Sequence, residues 1–296
     1  MTQLSSPHAG VKNTPKTVLA DGRILDYPRL RLMGVINITP DSFYSGSRAA
    51  TADAALRAAG KMLEDGADIL DIGGESTRPG AAFVDEKTEI ARVTGAIRAI
   101  RKRFPRAIIS IDTYKAAAAA SAIDCGADIV NDISAVSFDP AMAETVRKAN
   151  VPIVLMHTRG TPRGMQKNAV YADAAGEVRD YLKKRLSFAL QCGIKPEKII
   201  LDPGLGFAKL PEHNLAILRR IEEFTRLGAP VMVGASRKSF IGIALGSKDA
   251  PLPPEKRLEG TLAVTAWLAA RGVHIARVHD IAENAAVVKV TSVICR

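Results

Sequence analysis

The stretch Asp68-Ile-Leu-Asp-Ile72, followed directly by Gly73-Gly-Glu-Ser-Thr-Arg-Pro-Gly80, shows the pattern that repeats along this chain. The first part is a short, mostly apolar run, which is typical of a strand buried on both faces of a parallel sheet. The second part is a polar loop, and a helix-like segment follows it. The same order recurs on either side and predicts strands at Leu32–Ile38, Asp68–Ile72, Ala107–Ile111, Asp128–Val130, Pro152–Met156, Lys198–Leu201, Pro230–Val233 and Val273–Val278.

Helix-like segments separate these strands. They lie near residues 50–65, 85–103, 115–124, 139–149, 171–192, 211–226, 256–271 and 280–292. Eight strand–helix units in about 265 residues favour a closed (β/α)8 barrel, the TIM barrel. The alternative is a doubly wound open sheet, which commonly has fewer strands and a glycine-rich fingerprint after the first. Here the first strand leads into Asn37-Ile-Thr-Pro-Asp-Ser-Phe43 instead, so we predict the TIM barrel.

A hairpin signal precedes the first barrel strand. Two short strand-like runs within Lys16–Leu25 flank Asp21-Gly22, a dipeptide that favours two-residue turns. We therefore predict a short N-terminal β-hairpin before strand 1, at the bottom of the barrel. Residues 1–16 lack the apolar segment of a secretory signal and are expected to form a flexible tail. Residues 17–296 are expected to form a single domain.

Composition narrows the class of protein. The chain of 296 residues has 41 basic and 31 acidic side chains and a net charge of +10. The basic residues are dispersed and aromatic residues make up only 5%, whereas nucleic-acid binding favours clustered charge with interleaved aromatics. The surplus charge is expected mainly to form a solvated basic surface, and it is also compatible with attraction of small anionic substrates. No charge-free stretch reaches the roughly 18–20 residues that cross a bilayer, so we expect neither nucleic-acid nor membrane partners.

The three cysteines indicate the compartment. Cys125, Cys192 and Cys295 are widely spaced and form no CxxC pair. This spacing argues against a disulfide framework and favours a reducing compartment. We therefore expect a cytoplasmic protein.

Polar or charged residues follow all eight predicted strands, and in a TIM barrel the loops after the strands converge at the active site. They divide into two sets by chemistry. The first offers hydrogen-bond donors, or an oxygen ligand for a hard metal ion, and suits an anion: Asn37, Arg78, Arg277 and His279. The second offers mainly acceptors and suits a ring that carries amino and N–H donors: Asp112, Asn131 and Asp202.

Some strand-end residues also have a simpler interpretation. Aspartate after a strand often caps the next helix, so Asp112 remains open between a cap and a site residue, and Asp280 is predicted to be a cap. His157 and His279 are each compatible with a hydrogen-bonded structural role. Lys238 lies where a helix should begin, and a cation there opposes the helix dipole, so an acceptor is expected beside it. No GxSxG, HExxH or P-loop motif is present, which argues against a covalent enzyme intermediate.

The strand-end motifs occur in a definite order: Asn37-Ile-Thr-Pro-Asp-Ser-Phe43, Gly73-Gly-Glu-Ser-Thr-Arg-Pro-Gly80, Ile111-Asp-Thr113, Asn131-Asp-Ile133, Asp202-Pro-Gly204, Ser236-Arg-Lys-Ser239 and Arg277-Val-His-Asp280. Together they resemble the dihydropteroate synthase family over most of the chain. The resemblance implies a transferase of tetrahydrofolate biosynthesis that joins (7,8-dihydropterin-6-yl)methyl diphosphate to 4-aminobenzoate, giving 7,8-dihydropteroate and diphosphate. It also implies Mg²⁺ as cofactor, a family that is the target of sulfonamides, and a homodimer formed through the late helices, where Gly260–Ala270 is apolar nearly all round.

The resemblance also implies residue roles. The pterin ring would contact Asp112, Asn131, Asp202 and Lys238. The diphosphate would contact Thr77, Arg78, Arg277 and His279, and Asn37 would contact the Mg²⁺. The 4-aminobenzoate would lie beside Phe43, Thr77, Pro79, Phe207 and Ser239. The catalytic residues would be Asp112, Lys238 and Arg78, acting as diphosphate departs and the methylene carbon becomes cationic.

The chain departs from the family pattern at three places. Tyr44-Ser-Gly-Ser47 replaces the usual Ser-Asp-Gly-Gly, Thr158 stands where Met is common, and Ala208 replaces a usual Gly. The changed first loop keeps open a non-catalytic pterin-binding paralogue. A methyltetrahydrofolate corrinoid methyltransferase-like enzyme also stays open, although it would not need the Ser-Thr-Arg-Pro loop.

Overall fold

The computed structural model describes residues 15–38, 48–76, 82–161, 164, 165 and 169–295. Within this part of the chain, a two-stranded antiparallel hairpin of β1 (Thr17–Val18) and β2 (Ile24–Leu25) precedes an eight-stranded sheet. The hairpin turns at Asp21-Gly22, and Gly22 has a φ of 86°, which only glycine adopts readily. The strands of the larger sheet are β3 (Arg31–Asn37), β4 (Ile69–Gly73), β5 (Ile108–Asp112), β6 (Ile129–Asp132), β7 (Ile153–Met156), β8 (Ile199–Asp202), β9 (Met232–Val233) and β10 (Ile275–Val278).

The larger sheet is parallel and closes into a ring. Its order is β8-β7-β6-β5-β4-β3-β10-β9, and Leu201 of β8 forms a parallel bridge with Val231, directly before β9. The predicted (β/α)8 barrel with its N-terminal hairpin is therefore confirmed. β9 is shorter than the predicted Pro230–Val233, because Pro230 has no N–H to donate and contributes only its carbonyl, which accepts from Leu201 N.

Helices follow the strands as the sequence predicts, with two differences. The predicted helix over residues 211–226 is broken where Arg220 leaves the helical conformation, and a short helix after β9 begins at Ser239, directly behind Lys238. The helices are α1 (Arg48–Glu64), α2 (Glu86–Arg103), α3 (Ala116–Asp124), α4 (Met142–Ala149), α5 (Ala174–Gln191), α6 (Pro211–Arg219), α7 (Glu222–Thr225), α8 (Ser239–Leu245), α9 (Leu258–Ala270) and α10 (Ile281–Ile294).

Both faces of the strands are buried, which explains their continuous apolar character. Outward residues such as Leu70 and Ile109 pack against the inner faces of the helices, including Ile97 of α2. Inward residues at the start of the strands form a separate cluster that closes the bottom of the barrel: Met33, Ile69, Ile129, Val154, Ile200, Met232 and Ile275.

The hairpin covers this lower cluster. Leu19, Leu25 and Tyr27 pack onto it, and the buried Lys198 donates from Nζ to Leu19 O at 3.1 Å. The bottom of the barrel is therefore sealed by apolar packing, as the sequence predicts. Further along the strands, toward their carboxyl ends, the inward positions include polar residues such as Asp71, Asn131 and Arg277, so the chemistry of the barrel lies at the opposite end.

Two further observations concern the chain as a whole. None of the helices in the described part is long and apolar enough to cross a membrane, and all three cysteines carry free thiols. The predicted tail over residues 1–16 lies almost wholly outside the described residues and stays a prediction.

Candidate active site

Three charged side chains meet inside the upper half of the barrel. Arg277 of β10 donates from Nε to Asp71 Oδ2 at 2.6 Å and from Nη2 to Asp112 Oδ2 at 2.7 Å. Asp71 Oδ2 also accepts from Asn131 Nδ2 at 3.1 Å. Because alternate strand residues point to the same face, these side chains share the barrel interior with the lower apolar cluster. The polar network therefore stands directly above that cluster.

The ends of four neighbouring strands form one row above this network. Asn37, Gly73, Asp112 and Asn131 are register partners across β3, β4, β5 and β6. Gly73 is the gap in the row, since a Cβ there would lie 3.6 Å from both Asn37 Oδ1 and Asp112 Cβ. The absence of a side chain at Gly73 leaves room between the amide of Asn37 and the carboxylate of Asp112.

Asp112 does not cap α3 in the described structure, where Lys115 occupies the N-cap position. Its carboxylate bonds to Arg277, whereas the first N–H of α3, at Ala116, donates to Asp139 Oδ2 at 2.7 Å. Burial raises the pKa of Asp112 to about 7, with Arg277 opposing and Asp71 adding to the rise. Oδ1 of Asp112 and Oδ1 of Asp71 are buried without a partner among the described residues. Unpaired buried acceptors are costly, so this pair is suited to a ligand that brings N–H donors.

Asp202 and Lys238 form the other side of the site. Asp202 Oδ1 accepts from Gly204 N at 2.7 Å, and burial raises the pKa of this carboxyl group, with Lys238 opposing the rise. The ammonium of Lys238 donates to the carbonyl of Leu205 and lies 4.7 Å from the centre of the Phe207 ring. Burial lowers the pKa of Lys238 to about 8, and Asp202 opposes that shift. The acceptor expected beside Lys238 is therefore present.

The loop after β8 depends on glycine for its shape. Gly204 has a φ of 66°, and a Cβ there would lie 2.1 Å from the carbonyl oxygen of His157. Gly206 has a φ of 81°, and a Cβ would lie 3.0 Å from Lys238 Cδ. The Asp-Pro-Gly-Leu-Gly sequence thus lets the loop approach strand β7 on one side and Lys238 on the other.

His157 is structural. Its Nδ1 lies 2.9 Å from Nζ of the buried Lys209, which also donates to the carbonyls of Gly204 and Phe207 at 2.9 Å each. Burial lowers the pKa of His157 to about 2, so the ring is neutral and accepts from the lysine. The pair fixes the loop that carries Asp202 and Phe207.

His279 and Asp280 separate into two roles. His279 Nδ1 lies 2.9 Å from Ser236 Oγ, which joins the ends of β9 and β10. Asp280 occupies the N-cap position of α10, as predicted, but its side chain makes no capping hydrogen bond in the described structure. Its two oxygens instead accept from Arg237 Nε at 2.8 Å and Nη2 at 2.6 Å, which is a bidentate, charge-assisted contact.

Several predicted residues are not placed. Phe43, Thr77, Arg78 and Pro79, and the changed loop Tyr44–Ser47, lie outside the described residues. Asp71 is the reverse case, since sequence reasoning missed it. The available signal was a carboxylate inside an apolar strand, two positions after Ile69 and two before Gly73, which is the inward parity.

Comparisons with known proteins agree with this geometry. The profile of the family described as pterin binding enzyme matches residues 33–279. The dihydropteroate synthase of Synechocystis is 43% identical over 268 residues, covering 90% of this chain and 91% of that protein. That of Bacillus subtilis is 44% identical over 258 residues, covering 87% and 86%.

Solved structures add the fold. The Yersinia pestis dihydropteroate synthase, solved with a sulfonamide drug, superposes with a TM-score of 0.87 at 36% identity, covering 94% of this chain and 98% of that one. The Thermus thermophilus enzyme, solved with 4-aminobenzoate, gives 0.83 at 37% identity, covering 94% and 99%.

The chain belongs to the dihydropteroate synthase family. It is a transferase of folate biosynthesis, as the strand-end motifs predict, and the non-catalytic paralogue and the methyltransferase are set aside. Within the dihydropteroate synthase, the structure brings together Asp112, Asn131, Asp202, Lys238, Arg277 and His279 at one end of the barrel.

Proposed function

We propose that this dihydropteroate synthase binds the pterin diphosphate and 4-aminobenzoate at the carboxyl end of the barrel, with the roles that the sequence predicts. The proposal rests on Oδ1 of Asp112, which is buried and has no hydrogen-bond partner among the described residues. Asp112 is buried and adjoins Asn131 in register. A pterin presents amino and ring N–H groups along one edge, and a carboxylate accepts two such bonds in a planar arrangement.

The remaining pterin contacts come from the opposite wall. Asp202 is a second buried carboxylate, and Lys238, with a pKa of about 8, carries its charge at neutral pH and donates to the oxygen and nitrogen acceptors of the ring. The pterin would therefore have its donors and its acceptors bound by the same set of residues: Asp112, Asn131, Asp202 and Lys238.

The diphosphate would lie toward β10. Arg277 lies in β10 and His279 directly follows that strand, and Ser236 Oγ lies 2.9 Å from Nδ1 of the His279 imidazole. Thr77 and Arg78 would complete this anion site from the second loop. Arginine and imidazole N–H groups form charge-assisted hydrogen bonds with phosphate oxygens, which are the stronger kind.

Asn37 is proposed to contact a Mg²⁺ ion that binds with the diphosphate. Within the described residues no group of three His, Cys, Asp or Glu could hold a metal ion. Asn37 offers one amide oxygen beside the gap at Gly73, and Mg²⁺ usually combines few protein oxygens with water and substrate phosphates. The donor therefore fits a substrate-borne ion, which neutralises charge on the diphosphate when bound.

In the reaction, the protein would mainly stabilise the developing charges and hold the two substrates in position. The bond between the pterin methylene carbon and the diphosphate oxygen breaks, and its electron pair leaves with diphosphate. Asp112 stabilises the cationic carbon through the ring, Lys238 and Arg78 support the departing charge, and the amine nitrogen forms the new C–N bond before losing its proton to solvent. Phe207 and Ser239, with Phe43, Thr77 and Pro79, would hold the 4-aminobenzoate.

Asp112→Asn tests this assignment. We expect a loss of roughly ten- to a hundredfold in affinity for 6-hydroxymethyl-7,8-dihydropterin, since one charge-assisted hydrogen bond is lost, and slower diphosphate release. In the parent protein, affinity should fall as the pH drops through about 7, because protonation of Asp112 removes the acceptor. Calorimetric titration between pH 5.5 and 8.5 measures both. Unchanged affinity and turnover in the variant would remove Asp112 from the pterin site.

We also propose the setting in which the enzyme works. Three free thiols fit a reducing compartment, which supports the cytoplasm. Residues 17–296 are proposed to act as one domain, because the hairpin packs onto the interior of the barrel. A homodimer through the late helices is proposed from their exposed apolar residues.

A further inference from the structure

Asp71 is the most deeply placed carboxylate of the site. It lies in the middle of β4 and has no exposed surface. In the order of the sheet, β6 stands two strands to one side of β4 and β10 stands two strands to the other. One oxygen of Asp71 accepts from both directions, from Asn131 Nδ2 at 3.1 Å and Arg277 Nε at 2.6 Å. Asp71 therefore links a residue proposed for the pterin to one proposed for the diphosphate.

The contact with Asn131 fixes which way its amide faces. An amide carries an acceptor oxygen and a donor nitrogen that exchange places when the group turns by 180°. An ionised carboxylate only accepts, so Asp71 selects the nitrogen of Asn131. The oxygen of Asn131 is thereby directed away from Asp71 and stays an acceptor for the amino and ring N–H groups of a ligand.

The contact between Asp71 and Arg277 keeps one oxygen of Asp112 available for a ligand. A guanidinium paired with a single carboxylate commonly takes both of its oxygens. Here Asp71 occupies Nε, so Arg277 reaches Asp112 through Nη2 alone. As a result, Oδ1 of Asp112 has no hydrogen-bond partner within the described part of the chain.

We propose that Asp71 is a positioning residue of the pterin site, which holds the amide of Asn131 in one orientation and keeps Arg277 from covering both oxygens of Asp112. This inference rests on the proposed pterin role of Asp112 and Asn131. Asp71 acts through these neighbours and does not itself contact the substrate.

Asp71→Asn is the first test. Without the charge, Asn131 is free to turn and Arg277 is free to pair fully with Asp112. We expect a loss of roughly tenfold or more in affinity for 6-hydroxymethyl-7,8-dihydropterin by calorimetry, since an acceptor is lost or covered. The control is Ser110→Ala, because Ser110 is the buried register partner of Asp71 on β5 and its Oγ has no partner in the described structure. Its affinity should match the parent.

The pH dependence of pterin binding is a second measurement, which distinguishes a positioning role of Asp71 from a general contribution to the stability of the fold. The groups whose charge acts most on Asp112 are Arg277, Asp71, Glu89 and Asp132, and Lys238 lies near as well. Asp71 raises the pKa of Asp112, so its removal should move the acid limit of pterin binding to lower pH. Ser110→Ala should leave that limit in place.

Exchange of the side chains of Asp71 and Asn131 should restore pterin binding. In Asp71→Asn/Asn131→Asp the amide and the carboxylate trade places, and the aspartate at 131 keeps an oxygen for the ligand. We expect this double variant to regain most of the affinity lost in Asp71→Asn, with thermal unfolding followed for each protein. The double variant also remains informative if the single variant does not fold.

Three outcomes would overturn the inference: parental affinity in Asp71→Asn, an unmoved acid limit, or no recovery in the exchange variant. The proposed function is judged separately. If Asp112→Asn loses pterin binding while Asp71→Asn keeps it, the site assignment stands and the positioning role falls. If Asp112→Asn also binds normally, the pterin site itself has been misassigned.

Discussion

Ala208 is a non-glycine residue in a backbone conformation that favours glycine. It has a φ of 48°, in the left-handed region that residues other than glycine seldom adopt. The resemblance to dihydropteroate synthases predicts glycine at this position, and the backbone supplies the reason. Ala208 is fully buried, and its carbonyl accepts from the hydroxyl of Tyr171 at 2.9 Å. The surrounding loop therefore imposes a conformation that costs alanine about 1 kcal/mol.

Replacing this alanine with glycine should not destabilise the enzyme. Ala208→Gly relieves the strain but adds freedom to the unfolded chain, so we expect a change between zero and about 1 kcal/mol of added stability. Urea unfolding of the variant measures it. The contrasting substitution is Ala120→Gly in the middle of α3, where glycine should cost roughly 0.5–1 kcal/mol. A similar loss at both positions would show that Ala208 is not strained.

At the scale of elements, a buried lysine joins β4, α2 and α3. Lys115 precedes α3 and donates from Nζ to Glu75 Oε2 and Glu89 Oε2, each at 2.5 Å, and to the carbonyl of Val84 at 2.8 Å. Glu75 follows β4 and also accepts from Val84 N at 3.2 Å. All three charged side chains are buried. The cluster ties the residues after β4 to those before α2, on either side of Thr77–Pro79 in the chain.

Removing the lysine should be strongly destabilising. Lys115→Met leaves two buried carboxylates without their cation, and breaking a buried pair in this way costs about 3–5 kcal/mol. Burial already raises the pKa of Glu89. Protonation removes the unpaired charge, so the loss of stability should be larger at pH 8 than at pH 5.

The matched control is Lys148→Met. Lys148 pairs with Glu144 on the exposed face of α4 at 2.7 Å, and such surface pairs contribute between zero and about 1 kcal/mol. Chemical unfolding of both variants at both pH values decides the matter. Equal losses in the two variants would mean that Lys115 does not hold these elements together.

For the whole molecule, the outer face of the last helix is unusually apolar. Val290, Val293 and Ile294 of α10 are 59%, 68% and 76% exposed. Trp267 of α9 is partly exposed beside Arg271, whose guanidinium carbon lies 4.2 Å from the ring centre. Thr265 of α9 also donates to Asn284 Oδ1 of α10 at 2.6 Å, so the two helices pack side by side. Exposed apolar patches of this kind mark association sites.

We expect this surface to be buried in a homodimer. Val293→Lys places a charge in that contact and should weaken association at least tenfold, measured by sedimentation as a shift toward monomer at micromolar concentration. Leu190→Lys is the control, since Leu190 is an apolar residue on α5 that is 40% exposed and lies outside this surface. It should leave the oligomeric state unchanged. A parent protein that sediments as a monomer would contradict the prediction.

The sequence by itself determined the architecture and the residue types at the mouth of the barrel. Apolar runs, turn residues and helix periodicity are properties of neighbouring residues, so they can be read without knowing the fold. They predicted the eight strands, the Asp21-Gly22 hairpin and the polar strand ends that Asp112, Asn131 and Asp202 occupy. Where the outcome depended on a competing partner, the same local signals were insufficient. Asp280 follows a strand like a cap residue, yet Arg237 binds its carboxylate.

Only the tertiary structure decided which of these side chains meet. Arg277 stands 206 positions from Asp71 and 165 from Asp112, and closure of the ring of strands brings all three together. The burial that follows raises the pKa of Asp112 and lowers that of His157 to the point where its ring is neutral. The burial of each side chain and its pairing across the barrel depend on all the strands together. The register of one strand sets how far its neighbours' side chains lie along the barrel axis. For that reason the sequence identified the residue types at the mouth of the barrel, and the fold determined which of their oxygens remain unpaired.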